Sequence, residues 1–312
     1  MTILKPHSNA VVSPHTSMKP QRLIVCDLDG TLIGRDHKIN PADAAALAEC
    51  RAAGYAVSIC TGRSISEALD IIAPLQLSGP GVFVTGAEIC DLTNGATLHR
   101  RTMEPQTVRK LLEFFGAMDH AVLLLIEMPD SQGPHYMMTS NGPIHAASED
   151  WFIRNKMPTL MVQEPDAKAI SNVLRMGIVV DLPRSAEITA RLAAEFKNSI
   201  SFLALKAPAF ECHVIEVFAA NVDKWTGVRH LCDLMNIDSA KAIPIGDDIN
   251  DVPMLRNARL SFAMGNAAPE VQRAAKRVTR SQSEAGVAAA VREILSENTK
   301  AAASPAPKSL SE

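Results

Sequence analysis

Four short apolar runs, RLIVC (22–26), YAVSIC (55–60), GVFV (81–84) and AIPI (242–245), each stop abruptly at a polar or glycine-rich group. Those groups are Asp27-Leu28-Asp29-Gly30-Thr31, Thr61-Gly62-Arg63, Thr85-Gly86-Ala87 and Gly246-Asp247-Asp248-Ile249-Asn250-Asp251. Near-continuous apolar runs suit strands covered on both faces, which is the condition of a parallel sheet. Helical segments lie between the first three. NPADAAALAECRAAG offers Asn40 as a cap, Pro41 at the first helical position and Gly54 at the end. SISEALDIIAPLQL opens with Ser64 three residues before Glu67. Strand, helix, strand, helix, strand is the grammar of a Rossmann-like α/β core with right-handed crossovers.

After residue 88 the pattern changes. AVLLLIEM, HYMMTS, ISFLALK and ECHVIEVF are spaced as hairpin strands, and PQTVRKLLEFFGAM and SAEITARLAAEF read as helices. We expect an α+β cap inserted over 89–219 into a core made of 21–88 and 220–296. KWTGVRHLCDLMN, NDVPMLRNA and GVAAAVREILS supply the returning core helices, and LSFAMGNA and AKRVTRS two short strands. Residues 1–20 and 297–312 are low in bulky apolar groups and are expected to be a disordered leader and tail.

Composition excludes several classes. With 312 residues, 47% hydrophobic and a net charge of −3, the chain can bury an ordinary core. Lys and Arg are scattered and aromatics make up 4%, which speaks against a nucleic-acid surface. No apolar stretch is long enough to span a membrane. The six cysteines form no Cys-x-x-Cys pair, so they read as buried thiols of a reducing compartment, and the expected setting is the cytoplasm.

In an open parallel sheet, ligands bind outside the carboxyl ends of the strands, so the four polar groups should meet at one crevice. Two like charges as close as Asp27 and Asp29 oppose each other's ionisation unless a cation or a proton relieves them. Together with Asp247, Asp248 and Asp251 they form a hard-oxygen set that favours Mg²⁺ bridged to a substrate phosphate. Thr61 and the Gly62 backbone can donate to phosphate oxygens, and Lys224 can balance charge. The plain alternatives are a turn at Asp27–Thr31, a helix cap at Thr61 or at Gly246–Asp251, and a solvated surface lysine at 224. His135, Tyr136, His145 and Trp151 in the cap read as packing or surface residues.

DLDGTL, SICTGR, the lysine of VDKWTG and GDDINDVPML resemble the four ordered motifs of the haloacid dehalogenase (HAD) superfamily of phosphohydrolases. FAMGNAAPEVQRAA and EAGVAAAV are similar to the closing segments of its Cof-type branch, whose members carry a large α/β cap. The resemblance implies a Mg²⁺-dependent phosphatase acting on a small phosphorylated metabolite, a sugar phosphate or a phosphorylated cofactor. Phosphomutase-type transfer, or an idle binding member of the fold, is the alternative. By that resemblance Asp27 is the nucleophile and Asp29 the general acid and base. The metal is held by Asp27, the backbone carbonyl of Asp29, and Asp247. Thr61, Gly62 and Lys224 grip the phosphoryl oxygens, and Asn250 supports them. Asp251 orients Lys224 or a metal-bound water, and Asp248 stays peripheral. Two positions depart from the family: Thr85-Gly86-Ala87 replaces its usual Asn-Gly-Ala, and Trp225 follows Lys224 where relatives have Gly.

Overall fold

The computed structural model describes residues 22–34, 38–126, 135–140, 142–155, 158–207 and 210–303. The expected leader, 1–20, lies outside the described residues, as does the tail beyond 303. The core opens with β1 (Leu23–Cys26), α1 (Pro41–Ala52), β2 (Ala56–Ile59), α2 (Ile65–Ile72) and β3 (Pro80–Phe83). Asn40 caps α1 by accepting the Ala42 N–H at 3.0 Å. The Glu67 carboxylate reaches back to the Ser64 N–H at 2.7 Å, which fixes where α2 begins beyond the second strand.

The third run departs from its expected pairing. Beside β2 its parallel pairing shrinks to an isolated bridge of Val82 with Cys60, just past the end of β2, and the Ser58 hydroxyl donates to the Pro80 carbonyl at 2.8 Å. Its main partner is β4 (Glu88–Asp91), antiparallel, followed by β5 (Thr97–Arg100). The expected boundary at residue 89 therefore falls inside a small hairpin attached to the core.

The cap follows: α3 (Pro105–Gly116), β6 (Leu123–Ile126), β7 (His135–Thr139), α4 (Ala146–Asn155), β8 (Thr159–Val162), α5 (Ala167–Ile170), β9 (Val173–Asp181), α6 (Leu182–Phe196), β10 (Ile200–Ala207) and β11 (Cys212–Ala219). Its strands form a six-stranded sheet in the order β10-β11-β9-β6-β7-β8. Strand β9 was not among the expected elements. Arg175 and Gly177 interrupt its apolar residues, although Val173, Met176, Ile178 and Val180 are all buried.

The chain then re-enters the core with α7 (Lys224–Met235), β12 (Ala242–Gly246), α8 (Val252–Asn257), β13 (Phe262–Ala263), α9 (Pro269–Ala274), β14 (Arg277–Val278) and α10 (Gly286–Ala303). The core sheet runs β14-β13-β12-β1-β2, parallel throughout. Successive side chains of β1 point to opposite faces. Leu23 and Val25 pack with Val228 and Leu231 of α7, whereas Ile24 and Cys26 join the cluster that holds Leu47 of α1 and Val287 and Val291 of α10. Helix α10 runs on to Ala303, so the tail expected from 297 is helical in its first turns. All six cysteines are buried. Among the described residues, no helix is long and apolar enough to cross a membrane.

Candidate active site

Register brings the strand ends together. Cys26 of β1 pairs with Ile245 of β12 and with Ile59 of β2, so Asp27, Asp247 and Thr61 leave the sheet at the same edge. Asp27 is buried, and its N–H donates to the Ile245 carbonyl at 2.9 Å. Gly30, at φ +81°, makes the turn that follows, and a Cβ there would collide with the Asp247 carboxylate. Thr31 donates its hydroxyl to Asp247 Oδ1 at 2.7 Å, and Asn266 Nδ2 donates to the Gly30 carbonyl at 2.9 Å.

Lys224 is the first residue of α7 and fully buried. Its Nζ donates to Asp27 Oδ1 at 2.7 Å and to Asp251 Oδ1 at 2.6 Å. A buried lysine of this kind is tolerable only when paired and hydrogen-bonded. Trp225 does not disturb the helix start: Asp223 caps it by accepting the Thr226 N–H at 2.7 Å. The close approach occurs at Gly227, where a Cβ would lie 2.8 Å from the Cα of Gly86. That contact lets α7 rest on the third strand end and aim its lysine at Asp27.

Asp251 is fully buried, and its Oδ2 accepts the N–H groups of Asp247 (2.9 Å) and Asp248 (3.0 Å). Asp248 is exposed and accepts the Ile249 N–H, a capping position at the edge of the site. Carboxylate oxygens of Asp27, Asp247 and Asp251 lie within 4.8 Å of one another. Asp29 offers no side-chain oxygen to that group. Its half-exposed carboxylate forms a bidentate pair with Arg63, at 2.7 Å to Nε and 2.6 Å to Nη2.

The electrostatics follow from this packing. Burial and then the Asp251 charge push the Asp27 carboxyl well above its usual range, and Lys224 offsets only part of that. Burial and Asp251 likewise raise Asp247 to about 7, against the Thr31 hydroxyl bond. Burial lowers Lys224, but the Asp251 and Asp27 carboxylates outweigh it and hold the ammonium above its ordinary value. Three carboxylates share one ammonium there, so protons or a cation must relieve their repulsion. A hard divalent cation such as Mg²⁺ fits that donor set.

Beside the carboxylates, buried Thr61 accepts the Arg63 N–H on Oγ1 at 3.2 Å, which leaves its own O–H available to donate. Thr85 Oγ1 and Asn250 Oδ1 are buried without a partner. Both residues border Gly62: a Cβ there would sit 3.4 Å from Thr85 Oγ1 and 3.7 Å from Asn250 Nδ2. The Thr85 hydroxyl and the Asn250 amide N–H groups are the donors there that an oxygen-rich ligand could use. The expected set Asp27, Asp247, Asp251, Lys224, Thr61, Gly62 and Asn250 is thus gathered in one place.

Arg63, Thr31 and Asn266 had no expected role, although each stands inside one of the quoted motifs. Of the cap residues, Tyr136 is buried against Trp151, with ring centroids 5.3 Å apart, and His145 caps α4 by accepting the Ala147 N–H. His135 belongs to β7.

Fold and site together define a Rossmann-like core with a cation-seeking carboxylate cluster at its strand ends and an inserted α+β module. The sequence matches the haloacid dehalogenase-like hydrolase family over residues 24–291, and the chain belongs to that family. It is 27% identical to the protein YxeH of Bacillus subtilis (strain 168) over 88% of this chain and 98% of that one. It is 24% identical to the HMP-PP phosphatase of Yersinia pseudotuberculosis, over 80% of this chain and 86% of the other. Its fold is similar to that of the HAD subclass IIB sugar phosphatase BT4131, with a TM-score of 0.72 at 19% identity, covering 88% and 98% of the two chains. The expected fold class and superfamily are both met, and these relatives agree with a phosphoric monoester hydrolase.

Proposed function

We propose that this hydrolase is a Mg²⁺-dependent phosphatase that cleaves a small phosphorylated metabolite through an aspartyl phosphate on Asp27. The observation that carries the reading is the placement of Asp27, buried at a strand end, tied to Lys224 through Oδ1 and grouped with Asp247 and Asp251. With Oδ1 engaged by the lysine, Oδ2 attacks phosphorus in line and the bond to the leaving oxygen breaks. Asp29, once released from Arg63 and protonated from solvent, gives that proton to the leaving oxygen. As carboxylate it then takes a proton from the water that attacks the acyl phosphate, releasing inorganic phosphate and restoring Asp27. Asp27, Asp247 and the Asp29 carbonyl would hold the metal, with Asp251 engaged chiefly in fixing Lys224 and the Asp247 turn. Bound there, Mg²⁺ neutralises charge on the phosphoryl oxygens. Thr61 donates its hydroxyl to the same oxygens, beside the Gly62 N–H, Lys224 and Asn250.

A sugar phosphate or a phosphorylated cofactor suits an enzyme whose cap meets the non-phosphoryl part of the substrate. That a sugar phosphatase and an HMP-PP phosphatase are among the similar proteins supports this class. The buried, free thiols of Cys26, Cys50, Cys60, Cys212 and Cys232 support a reducing setting, the cytoplasm. The test is phosphate release from a panel of sugar phosphates and phosphorylated cofactors with Mg²⁺, each product identified. Free phosphate in stoichiometric yield supports hydrolysis. An isomeric phosphate ester in its place would mean a mutase, and an unchanged panel would mean a non-catalytic member of the family.

A further inference from the structure

One largely buried arginine of the cap reaches into the core. Arg175 lies on β9 with its side chain 12% exposed, and its Nη1 donates to the carbonyl of Gly62 at 3.0 Å. The same guanidinium pairs with Glu216 of β11 at 2.8 Å, and Nη2 lies 3.5 Å from the Tyr136 hydroxyl of β7. Glu216 and Tyr136 belong to the cap, so the ion pair travels with the cap if it moves. Of the hydrogen bonds given for this guanidinium, the one to Gly62 crosses to the core, where Tyr136 also meets Glu67 and Ser64.

That carbonyl belongs to the peptide joining Gly62 to Arg63. Its other end, the Arg63 N–H, donates to Thr61 Oγ1 at 3.2 Å. The peptide is therefore held at both ends, by the cap at its oxygen and by Thr61 at its nitrogen. With one lone pair occupied by the Arg63 N–H, the Thr61 hydroxyl keeps its proton free to donate. The Arg63 side chain, on the same residue, holds Asp29. We propose that Arg175 is a positioning residue: seating of the cap, read through the Gly62–Arg63 peptide, orients the Thr61 hydroxyl for the phosphoryl group. The inference rests on the phosphatase reading above and deepens it. It gives the cap a second role, since a cap residue acting in this way affects every substrate, including those too small to touch the cap.

The test uses the full chain with two variants. Arg175→Lys keeps the charge beside Glu216, but its shorter side chain does not carry a nitrogen as far as Nη1, the atom that holds both Glu216 and the Gly62 carbonyl. The double variant Arg175→Met with Glu216→Met removes the pair together and leaves no unpaired buried charge. Three quantities are read: kcat for p-nitrophenyl phosphate, inhibition by inorganic phosphate, and amide hydrogen exchange of the segment 61–65. We expect kcat to fall and the phosphate inhibition constant to rise by about tenfold or more, the scale of one charged hydrogen bond. The Arg63 amide should exchange faster, while the melting temperature of Arg175→Lys stays near that of the parent. Parent-like kcat, inhibition and exchange in Arg175→Lys would overturn the proposal, whatever the double variant does. So would a loss confined to a large metabolite with p-nitrophenyl phosphate unaffected, since Arg175 would then be a substrate contact. Exchange needs no turnover: if the parent cleaved no phosphate ester, the phosphatase reading would fail and the exchange comparison would still decide the link.

Discussion

Replacing Thr85 with Asn should stabilise this protein. Thr85 ends the third apolar run with φ 57° and ψ 24°, the left-handed region, and Val84 before it also has a positive φ of 48°. For a residue with a Cβ that conformation costs roughly 1–2 kcal/mol, and a branched Cβ makes it an outlier, whereas Asn adopts it several times more often than other residues. The Thr85 hydroxyl recovers nothing in exchange, because Oγ1 is buried without a partner. Gly62 leaves space in front of it, with a Cβ position 3.4 Å from Oγ1. Thr85→Asn keeps the turn, relieves the branched Cβ and places an amide towards the unpaired groups. Recovery of about 1 kcal/mol should raise the melting temperature by roughly 1–2 °C. Differential scanning fluorimetry with matching urea titrations measures it. An unchanged or lower melting temperature with an intact site would refute the argument that backbone strain is stored here.

Other expectations follow from the same packing. Asp43 of α1 accepts the Ala288 N–H of α10 at 2.7 Å with its second oxygen unpartnered, and burial, partly offset by that bond, raises its carboxyl from 3.8 to about 6. Since the folded value is the higher, its contribution is full below about pH 4 and is lost as pH rises through about 6, by at most about 3 kcal/mol. Urea melts of Asp43→Asn against the parent should show a difference that changes across this window, and a constant difference would contradict the assignment. Excess chelator should abolish turnover, Mg²⁺ should restore it, and Ca²⁺, which takes more oxygen ligands at longer distances, should inhibit in steady-state assays. Asp29→Asn should lower kcat by about 10²-fold or more, with the deficit smallest for an aryl phosphate whose leaving group needs no proton. Equal deficits for alkyl and aryl esters would remove Asp29 from the acid role.

Much of this arrangement is legible in the chain because it rests on local rules. A buried parallel strand must be apolar throughout, so Asp27 and Asp247 stand out as the points where strands end. The caps at Asn40 and Ser64 are set within a few residues and read directly. Other features depend on distant partners. Strand β3 carries the apolar signature of the parallel sheet, yet β4 captures it because the next residues turn straight back along it. Asp251 joins the carboxylate group through two backbone N–H groups and a lysine far away in the sequence, a role its spacing does not set. The pairing of Arg63 with Asp29 is fixed only when β1 and β2 lie side by side, and that of Arg175 with Gly62 only when core and cap meet. Strand β9 went unread because Arg175, placed there to reach the core, breaks its apolar pattern.

The central claim is that Asp27 carries the phosphoryl group. The most direct test is to acid-quench the enzyme during turnover of a phosphate ester, reduce the acyl phosphate with borohydride and map the modified residue by peptide mass spectrometry. The account predicts modification at Asp27, absent before substrate is added and absent in Asp27→Asn, which should be folded and inactive. Steady turnover with Asp27 unmodified, or an Asp27→Asn protein that keeps near-parental rates, would contradict it.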